Sequence, residues 1–201
     1  GKPLIDYAFK NGSLVTVTTL YSDSTVREAF PVKNNRVTYD YYNEYGVHTT
    51  TVTMDGKFQK QGHQTYYYPN GQLRRDAYYV DDQLDGITKI YYDDGNLKSY
   101  IEYKHDQCNG YNINYYDTEN SIIENESVYH NDTLIGPYYK YYADGNTEEI
   151  DVFNSNGTII HKAKYLPDGK KYQETFYKNE LPYVQISYNL EGNVTHRDTI
   201  E

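Results

Sequence analysis

The sequence predicts an all-β fold, an elongated array of antiparallel β-hairpins with an irregular cap at its N-terminal end. Three observations predict it. A Tyr-rich segment recurs as GHQTYYYPNG (Gly62–Gly71), GITKIYYDDG (Gly86–Gly95), GYNINYYDTEN (Gly110–Asn120) and GPYYKYYADG (Gly136–Gly145), with leading glycines 24, 24 and 26 residues apart. Such a fixed period marks a repeat architecture whose units share one continuous core. Nine of the 14 glycines follow Asn or Asp, a pairing that favours the positive φ of tight turns and would interrupt helices. The runs between them are rich in Tyr, Thr, Val and Ile, which suit a pleated surface.

Residues 1–38 fit the period least. LVTVTTLY (Leu14–Tyr21) and TVREAFPV (Thr25–Val32) still read as strands, with turns at Asn11-Gly12 and Asn34-Asn35. This stretch is a pair of diverged units or a cap over the first open edge, as terminal units of an array require. From residue 39 to 201 a period of about 24 residues runs through Gly46, Gly71, Gly95, Gly145, Gly169 and Gly192. Asn120 takes the missing glycine's place, since Asn also accepts left-handed geometry. Between Tyr-rich strands lie the cues DDQLDG, HDQCNG and NDTLIG, ending at Gly86, Gly110 and Gly136. The last copies are looser, with Pro182 where a glycine belongs.

Each repeat holds two strands. Alternation puts Ile87, Lys89 and Tyr91 on one face, with Tyr111, Ile113 and Tyr115, then Pro137, Tyr139 and Tyr141, as equivalents. The other face carries Thr88, Ile90 and Tyr92, with Gln64, Tyr66 and Tyr68 before them. Leu73, Leu97 and Ile122 align in the return strands, as do Tyr79, Tyr103 and Val128, and these stacked positions are the expected core.

YYYPNGQL (Tyr66–Leu73), YYDDGNLK (Tyr91–Lys98) and YYADGNTE (Tyr141–Glu148), with the DxxxG cue before each Tyr-rich strand, resemble the bacterial variant of the MORN repeat. The resemblance covers residues 39–145, extends more loosely to Gly192, and leaves out the first stretch. It implies consecutive hairpins in a long, twisted, single-layer sheet. It also implies scaffolding of other proteins, with membrane association in some eukaryotic members and an antitoxin-like role in some bacterial ones. No catalytic residue comes with it, because the signature residues are structural.

Composition narrows the function further. The formal net charge of −10 disfavours nucleic acid and anionic membranes, whose binding needs clustered Lys or Arg. Apolar residues make up only 37%, and 28 tyrosines take the filling role. A tyrosine ring buries apolar area while keeping one polar tip. Cys108 stands alone, so no intrachain disulfide forms, and its alignment with Leu84 and Leu134 reads as a small buried apolar residue. The six histidines are dispersed. His105, Asp106 and Cys108 read as a solvated loop beside a structural cysteine rather than a metal site. Asp81-Asp82 and Asp93-Asp94 lack calcium-loop spacing and read as turn formers. No phosphate loop, nucleophile elbow or zinc-protease motif occurs, so the expectation is a non-enzyme with neither cofactor nor metal. The first residues, GKPLIDY, suit a trimmed form, and the expectation leans to a secreted or envelope location.

The candidate recognition surface is the row Tyr68, Tyr92, Tyr116 and Tyr142, each at the same offset from its leading glycine. Rings repeated every ~10 Å suit an extended ligand, and the acidic turns beside them (Asp93, Asp94, Asp144) favour a basic protein partner. Two function classes follow. One is a protein-binding scaffold, antitoxin- or immunity-like as the resemblance implies. The other is a secreted or envelope module that reads glycans through exposed tyrosines.

Overall fold

A computed structural model describes residues 4–21, 23–43 and 45–200, and among them every helix or strand element is a strand. The strands fall into two compact units, the first running to Leu97 with Tyr103–Asp106, the second comprising Lys98–Glu102 and the residues from Gln107 onward. In the first unit, β1 (Leu4–Lys10), β2 (Ser13–Leu20) and β3 (Val26–Pro31) form a three-stranded sheet in chain order. A further sheet holds β4 (Arg36–Tyr42), β5 (His48–Asp55), β6 (Gly62–Tyr67), β7 (Leu73–Val80) and β8 (Gln83–Tyr91). β9 (Leu97–Lys104) is divided between the units. The second unit continues with β10 (Gln107–Tyr115), β11 (Ile123–His130), β12 (Thr133–Tyr141) and β13 (Thr147–Phe153). It ends with β14 (Ile159–Tyr165), β15 (Lys171–Lys178), β16 (Leu181–Tyr188) and β17 (Val194–Thr199). Pairing from β10 to β17 is antiparallel between chain neighbours, as it is from β4 to β8. The hairpin array expected from the sequence is the fold of each unit.

Two kinds of turn alternate from β6 to β13, and the longer kind then follows both β13 and β14. After the Tyr-rich strand the Tyr68 N–H donates to the Gln72 carbonyl at 2.8 Å, and the Gly71 N–H donates to the Tyr68 carbonyl at 2.9 Å. Gly71 is left-handed at φ 85°, the geometry of a turn closed by a glycine bulge. The same pair of bonds recurs at Tyr142–Asn146, Leu166–Lys170 and Asn189–Asn193. The other kind is a two-residue turn with both residues left-handed: Asp81-Asp82 (φ 50° and 69°), His105-Asp106 (48° and 66°) and Asn131-Asp132 (47° and 62°). Glycine is absent there because Asp, Asn and His tolerate this region better than other side chains.

The leading glycines therefore do something other than turn the chain. Gly86 and Gly110 lie inside β8 and β10 at φ 138° and 125°. Pairing of β7 with β8 jumps from Ala77↔Thr88 to Tyr79↔Leu84, so Gly86 sits in a bulge opposite Tyr78. A Cβ on Gly86 would meet the Tyr78 Cβ at 3.2 Å, and one on Gly110 the Glu102 Cβ at 2.9 Å. The Asn/Asp-Gly cue at these positions encodes a bulge, not a hairpin turn. In the long turn after β10 the left-handed residue is Ser121 (φ 50°) rather than the expected Asn120.

The expected core is corrected as well. Of Leu73, Leu97, Ile122, Tyr79, Tyr103 and Val128, only Tyr79 is buried. Within the repeats most buried positions are instead small or polar: Gln64, Ala77 and Thr88 in the first unit, Ser99, Ser127, Asp151, Ala163 and Thr175 in the second. A small side chain is roofed over by its longer cross-strand neighbours, whereas a long one in an open face has nothing above it. Gln64 is 0% exposed and fully used. Its amide donates to the Thr53 carbonyl at 2.8 Å and accepts the Thr53 N–H at 3.2 Å, replacing ladder bonds where β5 and β6 pair over only two residues. The one buried apolar cluster among the described residues joins the N-terminal sheet to the start of the array. Leu14 and Val17 pack with Val37 and Tyr39, and Ile5, Phe30, Val52 and Met54 surround them.

Candidate interaction face

The predicted row of tyrosines lies at the ends of the Tyr-rich strands, half-buried, with the hydroxyls of Tyr68, Tyr116 and Tyr142 engaged. The Tyr68 hydroxyl donates to the Tyr91 carbonyl at 2.7 Å, Tyr116 to Tyr141 at 2.7 Å and Tyr142 to Tyr165 at 2.8 Å. Tyr92 has a partner too. Each of the three bonds reaches the next repeat, so the hydroxyls act as seams between successive repeats. The opposite ends of the strands carry a second seam that the sequence reading missed. The Leu84 N–H donates to Asp106 Oδ1 at 2.7 Å while the Asp106 N–H donates back to the Leu84 carbonyl at 2.9 Å. Lys60 and Asp82 are tied the same way, as are Cys108 and Asp132. Cys108 is thereby half-buried rather than fully buried, and burial raises its thiol pKa.

One face of the second unit combines aromatic, aliphatic and acidic side chains. Register places Glu126, Tyr139, Ile150, Ala163, Glu174 and Ile186 in one row across β11 to β16. Beside it run Pro137, Val152, His161, Phe176 and Val184. At the β10–β12 end this face dips into a groove of ≈ 300 Å³ lined by Tyr111, Glu126, Ser127, Val128, Pro137 and Tyr139. Tyr111 is 53% exposed. Tyr139 stacks on Tyr141 with ring centroids 6.3 Å apart, and the Tyr141 hydroxyl donates to Glu126 Oε1 at 2.7 Å. Burial, reinforced by that carboxylate, pushes the Tyr141 hydroxyl above its ordinary pKa.

The row repeats this carboxylate–tyrosine pair at Glu174, which accepts the Tyr188 hydroxyl. Here a cation is added: Lys171 Nζ lies 2.7 Å from Glu174 Oε2, and His161 Nε2 lies 3.4 Å away. Burial alone would raise the Glu174 pKa, but the Lys171 and Tyr188 hydrogen bonds hold it below the usual range. Among the described residues no Lys, Arg or His pairs with Glu126.

The opposite face of this unit is a polar lattice. Lys162 bridges Glu149 at 2.8 Å and Asp151 at 3.0 Å, and burial raises the Asp151 pKa. In the first unit His48 lies between the Tyr42 and Tyr67 rings, 3.2 Å from Asp40. Among the described residues no three His, Cys, Asp or Glu side chains group to hold a metal.

Part of the array matches a known repeat family. The MORN repeat variant matches residues 60–81 and again residues 84–105. No curated protein matches. Solved structures with weak likeness include the crystal structure of TcdB2-TccC3-Cdc42, at 13% identity over 92% of this chain and 11% of that one, TM-score 0.26. The crystal structure of TcdB2-TccC3-TEV is 10% identical over 97% and 15%, TM-score 0.27. A Bacteroides fragilis NCTC 9343 protein with unknown function is 7% identical over 99% and 92%, TM-score 0.12. The chain thus spans only 11% and 15% of the first two, and likenesses this weak bear on neither fold nor function. The matched stretches are the ones that β6–β7 and β8–β9 occupy, each a Tyr-rich strand, a glycine-closed turn and a return strand. Residues 60–105 are thus similar to two consecutive copies of the MORN repeat variant.

Proposed function

We propose that the chain is a non-enzymatic repeat scaffold that binds a protein partner on the Glu126–Glu174 face of its second unit. The observation that supports it is the half-exposed band of Tyr111, Pro137, Tyr139, Val152 and Phe176, set on strands held rigid by hydrogen-bonded seams. Tyrosine-rich, shallow surfaces of this kind suit protein partners, since rigid rings give contact area at small entropic cost. An antitoxin- or immunity-type role is the finer form of this reading and rests on the repeat resemblance. Glycan recognition is a second reading, favoured by the stacked Tyr139 and Tyr141 rings beside a carboxylate.

The test is cross-linking of the whole chain in its native host, followed by mass spectrometry, with Tyr111→Ala and Tyr116→Ala compared. Tyr111→Ala removes an exposed ring and is expected to keep the melting temperature while losing the wild-type partner. Tyr116→Ala removes a seam and is expected to lower stability first. Retention of the same partner by folded Tyr111→Ala overturns the assignment of this face. Binding to a glycan array in place of any protein favours the second reading.

A further inference from the structure

The carboxylates of the second unit supply an internal comparison. Glu126 and Glu174 occupy the same cross-strand row, four strands apart, roughly 19 Å at ~4.8 Å per strand. Each accepts a tyrosine hydroxyl from the strand ahead, Tyr141 and Tyr188. Glu174 is completed by Lys171 and His161 from its own chain. Glu126 faces a groove of aromatic and aliphatic side chains with no cation supplied among the described residues. A carboxylate set in apolar surroundings gains most from a cation brought to it there, where solvent screens the pair least.

We infer that Glu126 is the receptor for a lysine or arginine side chain of an extended peptide segment of a partner protein, laid across β11 to β16. The inference rests on the protein-binding reading above and names the chemistry that reading leaves open. The segment's cation meets Glu126 between Tyr111 and Tyr139, whose rings cover its aliphatic stem. Its following apolar residues then pass over Ile150, Ala163 and Ile186. Five strand steps, roughly 24 Å, accommodate about seven extended residues. Near Glu174 the face already holds Lys171, so a second cation is disfavoured there and the direction of the segment is fixed. The formal net charge of −10 adds a general attraction for a basic partner.

The experiment is selection of a random 12-residue peptide display library on the whole chain, followed by fluorescence anisotropy with the enriched peptides. The expected result is enrichment of a single Lys or Arg followed by apolar residues. Those peptides should bind Glu126→Gln about tenfold more weakly, because a neutral amide replaces the charge partner. Glu126→Gln retains an acceptor for the Tyr141 hydroxyl, so its melting temperature should match wild type. Glu126→Lys should shift enrichment toward acidic peptides. Enriched peptides without a cation, or peptides that bind Glu126→Gln as well as wild type, overturn the receptor while leaving the scaffold reading standing. No enrichment on wild type, together with glycan binding lost in Tyr111→Ala, overturns both. Concentration-dependent dimerisation lost in Glu126→Gln assigns the groove to a second copy and also overturns the inference.

Discussion

A single aspartate shows how a turn residue comes to hold two repeats together. Asp106 occupies the second position of its turn at φ 66°, accepts the Leu84 N–H and donates its own N–H to the Leu84 carbonyl. Asp106→Ala removes the acceptor and places a Cβ-bearing residue without local hydrogen bonding in the left-handed region. The expected cost is about 2 kcal/mol. Asp106→Asn keeps the acceptor and tolerates the conformation, so urea denaturation should put it within about 0.5 kcal/mol of wild type. Equal losses for the two would show that charge, not the hydrogen bond, carries the seam. The sequence made the turn role of Asp81-Asp82 legible through its residue types. It could not show what the second carboxylate accepts, because the partner N–H lies 22 residues earlier and becomes a neighbour only when alternate turns stack. The Tyr68, Tyr116 and Tyr142 hydroxyls escaped for the same reason: equal spacing shows that they align, not whether the row faces a ligand or the next repeat.

Among the strands, β14, β15 and β16 are linked by Glu174 through His161, Lys171 and Tyr188. The Glu174 side chain is 12% exposed and its pKa is depressed. A depressed carboxylate contributes stability that is complete above its unfolded pKa, about 4.3, and is lost as pH falls through the lower folded value. At pH 7, Glu174→Gln should therefore cost about 1–3 kcal/mol, since it leaves Lys171 without its charge partner. Thermal melts across a pH series should show the gap from wild type closing as pH drops below about 4.5. A gap unchanged down to pH 3 would remove the ionised carboxylate from the account. The glycine cue was half legible at this scale. Positive φ at Gly86 follows from its residue type, but only pairing shows that Tyr78 crosses over it and makes the site a bulge.

At the scale of the whole molecule the period was legible and the core was not. Twenty-eight tyrosines look like a core, yet the buried centres of the strands are Ala77, Thr88, Ser99 and Ser127, small residues that hydropathy passes over. Concentrated apolar burial is found instead where the N-terminal sheet meets Val37 and Tyr39. Leu14→Ala, at a position 2% exposed, should cost about 3 kcal/mol, with the cavity adding to the lost transfer energy. Leu73→Ala, half-exposed in the same unit, should cost less than half of that. Chemical denaturation of the two variants checks the ranking. Reversed order would make the N-terminal sheet an appendage rather than a support.

The seams also constrain how such a gene can change. They join residues 22, 24, 23 and 25 positions apart, always one repeat to the next. Losing one codon within a strand would mismatch both seams of that unit and turn every later side chain in the strand to the other face. Duplicating or excising a whole repeat keeps each donor opposite an acceptor. The spare residue of the 117–121 turn shows where a lone insertion is absorbed, outside the paired strands. Copy number is thus the parameter free to drift, while the step is held by hydrogen bonding, and a longer or shorter relative is expected to differ by entire repeats.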